Sequence, residues 1–544
     1  MRNFAVYACA VLLMASCGKK TRPLIFTGLF LATLAVFLSS LNLYLAEDAH
    51  ILMRFARNLA EGHGLTWNPG MDPVEGATSF LWTVLLAAFY KAGMGFEISV
   101  PLLNGLCLAA AGLAVFFGTA RLASVSWHPG FVAAGILVFS PLTLQIRAGF
   151  ETPLFALFMT TVVISFMHLD DPSARVREAA SAVMAAAGLL LGLTRPEGVV
   201  FYAFFFAAGL AVLLPEERGQ FCRHALLFFV MPGFVYFLWR WQYFGYLLPN
   251  TFYAKSMVGK GLFRENFSSG AGYLRRISVY MAPYLALILL GSARMPPPLR
   301  RKTLLAFLGL CFFPLLYFLI FQAQNIGHRF QMPVVPGLLF LAVLAAEALR
   351  PALKKAWVPA VLLGGFLLVL DSSAKSAAVA YDQGLDTDRI LIGRALQPYA
   401  KPGRIMVVSE PGYLPYYSEW LSVDALGLYD ETIAHRGLTE DYLKRLSPDL
   451  IMFHAVKGEA ADDMGGRYWY GRWNVMVRTL HAYAEKKGYL LAAIIETGKS
   501  SFYWYYVKGA LPDEAGILKA VTDHPSLRYY YRAGEEAEKG KEAA

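Results

Sequence analysis

The stretch LIFTGLFLATLAVFLSSLNLYLAEDAHILMRFARNLAEGHGL, residues 24–65, decides the fold. Its first 22 residues carry no charge, enough to cross a bilayer as one helix. Two adjacent carboxylates, Glu47 and Asp48, follow at once, and an amphipathic run succeeds them. The whole chain of 544 residues repeats the first theme: 57% of it is hydrophobic and only 16% charged, against about 25% charged in soluble chains. Mean hydropathy is +0.45. The class expected is a polytopic α-helical membrane protein.

Working outward, apolar runs of spanning character fall at 24–45, 98–120, 129–146, 152–169, 179–194, 198–214, 225–239, 277–293, 303–321, 330–349 and 356–370. The loops between them alternate. One set holds Lys19/Lys20/Arg22, Arg121, Arg175/Arg177, Arg218/Arg223, Arg294/Arg300/Arg301/Lys302 and Arg350/Lys354/Lys355, whereas the short loops of the other set hold only Arg147, Arg195 and Arg329. Cationic loops stay in the cytoplasm, so the first set is expected inside. The net charge of +10 therefore marks topology rather than nucleic-acid binding. Residues 77–94 are apolar enough to cross, but doing so would invert every later loop. They are expected to form an interfacial or re-entrant helix on the outer face. About 11 transmembrane helices then leave the N-terminus cytoplasmic and the C-terminus outside a bacterial inner membrane.

Residues 1–17 read like a lipoprotein-type signal, with Met14-Ala15-Ser16-Cys17 near the processing point. Met14 departs from that pattern and Phe4–Ser16 is too short to span. The segment 1–23 is therefore expected to be a cytoplasmic anchor region, with Met14 the true start. The membrane domain covers 24–371, with its first outer loop at 46–97. Beyond it a periplasmic α/β domain is expected at 372–533: PGRIMVVSE (402–410) reads as turn and strand, and EDYLKRLSPDLIMFH (440–454) as helix, turn and strand. The tail 534–544 lacks apolar anchors and is expected to be disordered. Five cysteines, Cys9, Cys17, Cys107, Cys222 and Cys311, show no metal-type spacing.

Chemistry concentrates on the outer face. Carboxylates just past a span are costly to place, and partial desolvation raises their pKa, which suits a general base. The plainer alternative is that Glu47 and Asp48 cap the helix after them. Company on the same face tips the balance: RAGFE (147–151), RPEG (195–198), GYLLPNTFYAK (245–255) and GHRF (327–330) each bring a cation or an amide to the membrane edge. A lipid phosphate leaving from the bilayer needs such surroundings. For each arginine alone, snorkelling is the simpler account.

The run EDAHILMRFARNLAEGHGLTWNPG with VEGATSFLW resembles the first periplasmic loop of the GT-C glycosyltransferases. The likeness is greatest to the terminal arabinofuranosyltransferase group of mycobacterial cell-wall synthesis and its bacterial relatives. GFETPLF, LTRPEG, RWQYFGYLLPNTFYAK, HRFQMPVVP and VDALGLYDETIAH look like the same family in the same order, from about Leu24 to about His454. The resemblance implies a GT-C bundle, a catalytic acid in the first outer loop, a polyprenyl-monophosphate sugar donor and a periplasmic C-terminal domain. Relatives often carry Asp-Asp where this chain has Glu47-Asp48. The catalytic role is therefore expected on Asp48, with Glu47 as its partner.

The expected reaction displaces polyprenyl phosphate from the anomeric carbon by an acceptor hydroxyl, with Asp48 accepting the proton. Arg195, Lys255, His328, Arg329, Arg147 and Arg54 are candidates for the donor phosphate. His63, Glu75, Glu151, Glu197, Asn250 and Tyr253 are candidates for substrate hydroxyls or rings. Trp67 and Trp82 could stack on sugar or isoprene, or simply anchor the interface. No metal site is read, and a divalent cation beside Glu47 and Asp48 is left open. Asp424, Asp430, Glu431 and His435 are either turn residues or the edge of an acceptor route. Arabinofuranose is one donor sugar compatible with the resemblance; the acceptor could be a cell-envelope glycan, a lipid or a glycoprotein. Two rivals stand: a diphosphate-using glycan ligase or polymerase, and a lipid or solute transporter. Against the latter, no internal repeat is found and the polar motifs keep to one face.

Overall fold

The computed structural model describes residues 45–122, 141–256, 262–317, 328–349, 387–466, 471–498 and 500–534. The expected spans 24–45, 129–146 and 356–370 fall wholly or largely outside them, as do the segment 1–23, the cations Arg350, Lys354 and Lys355, and nearly all of the tail. The chain divides into two compact units. One takes in Ser79–Arg240 and the described part of Phe263–Ala378; the other joins Ala46–Thr78 and Trp241–Leu262 to the described part of Val379–Ala544.

The first unit is helical. Its helices are Phe80–Lys91, Phe96–Leu122, Leu144–Ala148, Thr152–Met167, Ala174–Thr194, Glu197–Val212, Pro215–Phe244, Leu262–Ser292, Pro297–Leu316 and Met332–Leu349. Four of them, Phe96–Leu122, Ala174–Thr194, Pro215–Phe244 and Met332–Leu349, are long and apolar enough to cross a membrane. Phe80–Lys91, within the ambiguous run 77–94, has 12 residues. At 1.5 Å per residue that is about 18 Å, short of a hydrocarbon core of about 30 Å. Pro215–Phe244 starts in the charged stretch PEERGQ, ten residues before the expected span, and carries a π-helical turn at Leu226–Val230. The core comprises Leu108, Phe155, Met159, Phe166, Phe205, Phe313 and Leu338, all at most 1% exposed. Ala174–Thr194 and Glu197–Val212 lie so close that a Cβ on Gly188 would stand 2.3 Å from the Tyr202 ring.

The loops of this unit sort by charge. At one end Lys302 pairs with Asp170 and donates to the Met167 carbonyl at 2.8 Å. At the same end Arg177 meets Glu217 at 3.2 Å, and Arg121 meets Asp171 at 3.6 Å. These arginines and this lysine belong to the loops expected inside. The opposite helix ends carry Glu151, Arg195, Glu197 and Tyr317.

The second unit is built on a six-stranded sheet of order β2-β1-β3-β5-β4-β6. Its strands are β1 (Ile405–Val408), β2 (Leu421–Asp424), β3 (Leu450–Ala455), β4 (Leu490–Gly498), β5 (Ser501–Val507) and β6 (Tyr529–Arg532). β1 runs parallel to β2 and β3, while β5, β4 and β6 add antiparallel. Successive side chains face opposite ways. Val407, Val423, Ile451 and Phe453 therefore pack with helix Arg472–Lys486 on one face; Met406, Val408, Leu450 and Met452 pack with Ile392, Leu396 and Ile517 on the other. Both faces are covered, which explains the unbroken apolar runs IMVV and LIMF. The first outer loop divides accordingly: residues 46–78 join the sheet unit, whereas Ser79 onward joins the helices.

Candidate functional site

Helix Glu47–Ala60 is the part of the first loop that carries the acidic pair, and it is amphipathic enough to be built into the sheet unit along one face. Its N-cap is Ala46, which has no capping side chain, so Glu47 and Asp48 occupy the first turn rather than the cap. There they face the positive end of the helix dipole. Asp48 is half-buried. His50 is buried: Nδ1 lies 3.0 Å from the Ala46 carbonyl and Nε2 3.2 Å from the Tyr417 hydroxyl. The Tyr413 and Tyr416 rings stand edge-on to it at 4.6 and 5.0 Å. Burial lowers its pKa to about 4, so His50 is neutral in the physiological range.

Glu47 points into a charged knot. Its carboxylate pairs with Arg389 from helix Thr387–Leu396, and the same guanidinium pairs with Glu410 just after β1. Arg389 is 2% exposed. Tyr503 donates to Glu410 at 2.7 Å, and His454 Nδ1 lies 3.6 Å from the other Glu410 oxygen. Burial alone would raise the Glu410 pKa; Arg389, His454 and the Tyr503 hydroxyl outweigh it and hold the carboxyl below its ordinary value. Asp388 sits beside this knot with neither carboxylate oxygen hydrogen-bonded among the described residues, and burial pushes its pKa up. Arg389, Glu410, Asp388 and His454 were not among the residues singled out from sequence. The available signal was Glu410, a lone carboxylate ending the apolar strand IMVVSE.

Arg54, expected near the donor phosphate, is instead a structural clamp. It is 2% exposed and donates to the carbonyls of Trp67 (3.0 Å), Pro415 (2.7 Å) and Trp420 (2.9 Å) and to Asn68 Oδ1 (2.9 Å). Its fork is used within the fold, and no face is left for a phosphate. Nearby, Asn68 exchanges hydrogen bonds with Ser422 through both its amide groups, at 2.9 and 3.0 Å. The Trp67 indole also donates to the Ser422 carbonyl at 3.0 Å. The first loop thereby covers edge strand β2, which would otherwise present free backbone groups. Trp67 stacks on Tyr429 at 4.7 Å, which places it in the core rather than on a sugar.

Two motifs some 180 residues apart also meet in this unit. Asn250, expected to bind substrate, spends both amide hydrogens on the carbonyls of Gly427 and Leu428 at 2.8 and 2.9 Å, a correction to that role. Tyr253 packs against His435 at 4.6 Å, Tyr246 stacks on the same ring at 5.1 Å, and the Tyr246 hydroxyl bonds Glu431. Asp430 caps helix Glu431–Arg436 and Asp424 holds the backbone amides of Leu426 and Leu428. Both are turn residues. Lys255 lies half-buried at the end of helix Asn250–Ser256, Glu75 is buried and His63 exposed.

In the helical unit three expected residues come together. Arg195 reaches Glu151 at 2.7 Å and Glu197 at 2.9 Å, and Tyr317 donates to Glu197 at 3.2 Å. Arg195 also lies over the Phe330 ring at 5.0 Å. Arg329 lies over the same ring at 4.9 Å and over Phe150 at 3.8 Å. The neighbouring His328 has φ 57, a left-handed backbone that turns the chain ahead of Arg329. Arg147 lies on helix Leu144–Ala148. Among the described residues no group of three or more His, Cys, Asp or Glu is disposed to hold a metal, and Glu47 already faces Arg389.

Comparison with known proteins gives three relationships. Residues 377–507 match a family model described as a domain of unknown function (DUF8728). Over 282 residues the chain is 27% identical to the terminal beta-(1->2)-arabinofuranosyltransferase of Mycobacterium tuberculosis; the match takes in 47% of this chain and 42% of that relative, less than half its length. Crystal structures of ArnT from Cupriavidus metallidurans superpose with a TM-score of 0.56 in both the apo state and the state bound to undecaprenyl phosphate. They cover 88% of this chain and 97% of ArnT at 13% and 15% identity. At that identity the likeness speaks for the fold.

Proposed function

We propose that this chain, a member of the GT-C family near the arabinofuranosyltransferases, transfers a sugar from a polyprenyl-monophosphate donor to a cell-envelope acceptor. The observation that carries the reading is the acidic pair on helix Glu47–Ala60: Glu47 is committed to Arg389, while Asp48 stands in the same first turn. Neighbouring residues on a helix diverge by about 100°. The Cα–Cβ direction of Asp48 therefore differs from that of Glu47, and Asp48 is the carboxylate assigned to take the acceptor's proton.

The step forms a bond from the acceptor oxygen to the anomeric carbon and breaks the bond to the phosphate oxygen. Polyprenyl phosphate leaves as an anion and needs cations more than an acid. Lys255, in the unit that also carries Asp48, is assigned to it. Arg195, whose two terminal nitrogens already meet Glu151 and Glu197, braces the ring on which Arg329 rests. The undecaprenyl phosphate seen with ArnT supports a lipid of this class as donor. The M. tuberculosis relative makes arabinofuranose the first sugar to try. In the membrane we place about 11 spans, with the N-terminus cytoplasmic and the sheet unit periplasmic, because the Arg and Lys clusters gather at one end of the helical unit.

The test is transfer by purified wild type and Asp48→Asn from a panel of radiolabelled polyprenyl-phosphate sugars. Turnover of one donor by wild type, lost in the variant while donor binding persists, is the expected result. No turnover of any monophosphate donor would sink the reading. Activity with diphosphate donors would then favour a ligase, and lipid movement in vesicles a transporter.

A further inference from the structure

The knot around Arg389 has an unusual composition for a buried site. One guanidinium is met by Glu47 and Glu410, with Asp388 alongside. His454, Tyr503 and Tyr505 close it from the sheet, and from its own helix Glu47 brings His50, Arg54 and Asp48. His454 Nε2 rests 3.1 Å from the Ser501 hydroxyl, and burial works against its protonation. The Tyr503 ring lies 4.4 Å beneath the guanidinium. Two carboxyl groups, Glu47 and Glu410, thus face one guanidinium.

A second contact holds the same residue. A Cβ on Gly412 would lie 2.0 Å from Glu47 Cγ and 2.5 Å from its carbonyl oxygen. Only glycine lets the 410–412 turn approach the first turn of helix Glu47–Ala60 so closely. Glu47 is thus fixed at its carboxylate by Arg389 and at its backbone by Gly412. The longer glutamate side chain is what reaches the guanidinium; aspartate is one methylene shorter.

We propose that Arg389, braced by Glu410, is the positioning residue of the acidic pair: it keeps Glu47 as a fixed anion and so reserves Asp48 as the proton acceptor. The inference rests on the transferase reading and deepens it. The net charge of the knot then sets the field felt by Asp48. Removing the cation leaves Glu47 and Glu410 unopposed and raises the pH at which Asp48 loses its proton; removing the second anion lowers it.

The experiment is the pH profile of kcat/KM for sugar transfer by the full-length protein in detergent. Arg389→Gln is expected to move the acidic limb up by about one pH unit, and Glu410→Gln to move it down by a smaller amount. Adding Glu47→Gln to Arg389→Gln is expected to return the limb toward its wild-type position, even where kcat stays reduced. Glu410→Gln preserves shape and an acceptor for Tyr503, so it keeps the test decisive if Arg389→Gln does not fold. A purely structural knot would scale activity equally at every pH. A wild-type limb in a folded, active Glu410→Gln variant would overturn the inference and leave the transferase reading intact. A wild type without transfer at any pH overturns that reading, and this inference with it.

Discussion

Replacing Arg54 with alanine separates a structural arginine from a phosphate-binding one. Four hydrogen bonds from a charged donor end with it, each worth roughly 1.5–3 kcal/mol, or about 6–12 together. Against this stands the cost of burying the ion. Desolvation, with the Arg57 charge adding to it, lowers the Arg54 pKa well below the ordinary arginine range, to about 9. At 1.36 kcal/mol per pH unit the cost is about 5 kcal/mol. The difference is about 1–7 kcal/mol, centred near 4. The sheet unit is of a size where 1 kcal/mol moves the melting point by about 2–4 °C, so a drop of roughly 8–16 °C is expected. Lysine cannot reproduce the fork, and Arg54→Lys should recover less than half of the loss. Thermal unfolding of the detergent-solubilised chain, followed by limited proteolysis, reads the effect. An Arg54→Ala variant that melts with wild type yet loses affinity for polyprenyl phosphate would refute the clamp and restore the phosphate role.

Other outcomes follow from the same geometry. Gly76→Ala should cost about 1–3 kcal/mol of unfolding stability, because its Cβ would lie 2.0 Å from the Tyr429 ring and 3.0 Å from Phe55; a wild-type melting curve would contradict this. Burial raises the Asp424 pKa to about 7, against the pull of the Leu426 and Leu428 amides. A raised carboxyl pKa means the folded state holds a proton the unfolded state has released. This group's contribution is therefore complete at low pH and is lost as pH climbs toward 7, by about 1.4 kcal/mol per pH unit. Asp424→Asn should flatten that part of the stability-versus-pH curve, and an unchanged slope would count against it. Glu151→Gln should leave Arg195 short of one anion and strengthen polyprenyl-phosphate binding several-fold in a competition assay, whereas weaker binding would show that the pair orders the site.

Much of the helical unit was readable from hydropathy. The runs 98–120, 152–169, 179–194, 198–214 and 330–349 reappear as Phe96–Leu122, Thr152–Met167, Ala174–Thr194, Glu197–Val212 and Met332–Leu349, because uniform apolarity leaves a chain few alternatives to helix. The strands at 405–408 and 450–455 and the helix between them also follow local pattern. What local pattern does not carry is partnership. Arg54 bonds mostly to backbone carbonyls, which every residue offers, so nothing in its neighbours distinguishes a clamp from a surface arginine. Arg389 meets Glu47 across 342 positions, and each looks like an ordinary charge in its own segment. The motifs GYLLPNTFYAK and VDALGLYDETIAH were visible separately; that Asn250 holds the Gly427 turn depends on a packing no periodicity encodes. The acidic pair stood out in the sequence because two adjacent carboxylates right after a long apolar run are expensive to place.

The sheet unit is assembled from pieces of chain made at very different times. Ala46–Thr78 emerges early, yet the groups that hold it, from Arg389 to Trp420, are made more than 300 residues later. At roughly 5–20 residues per second, the acidic helix waits on the order of 17–70 s for its partners. Until then Arg54 has none of its distant carbonyls and Glu47 lacks Arg389. A prematurely terminated chain would lack Arg389, Pro415 and Trp420, and with them the contacts that hold helix Glu47–Ala60. Completion of synthesis is therefore the step that finishes the acidic helix.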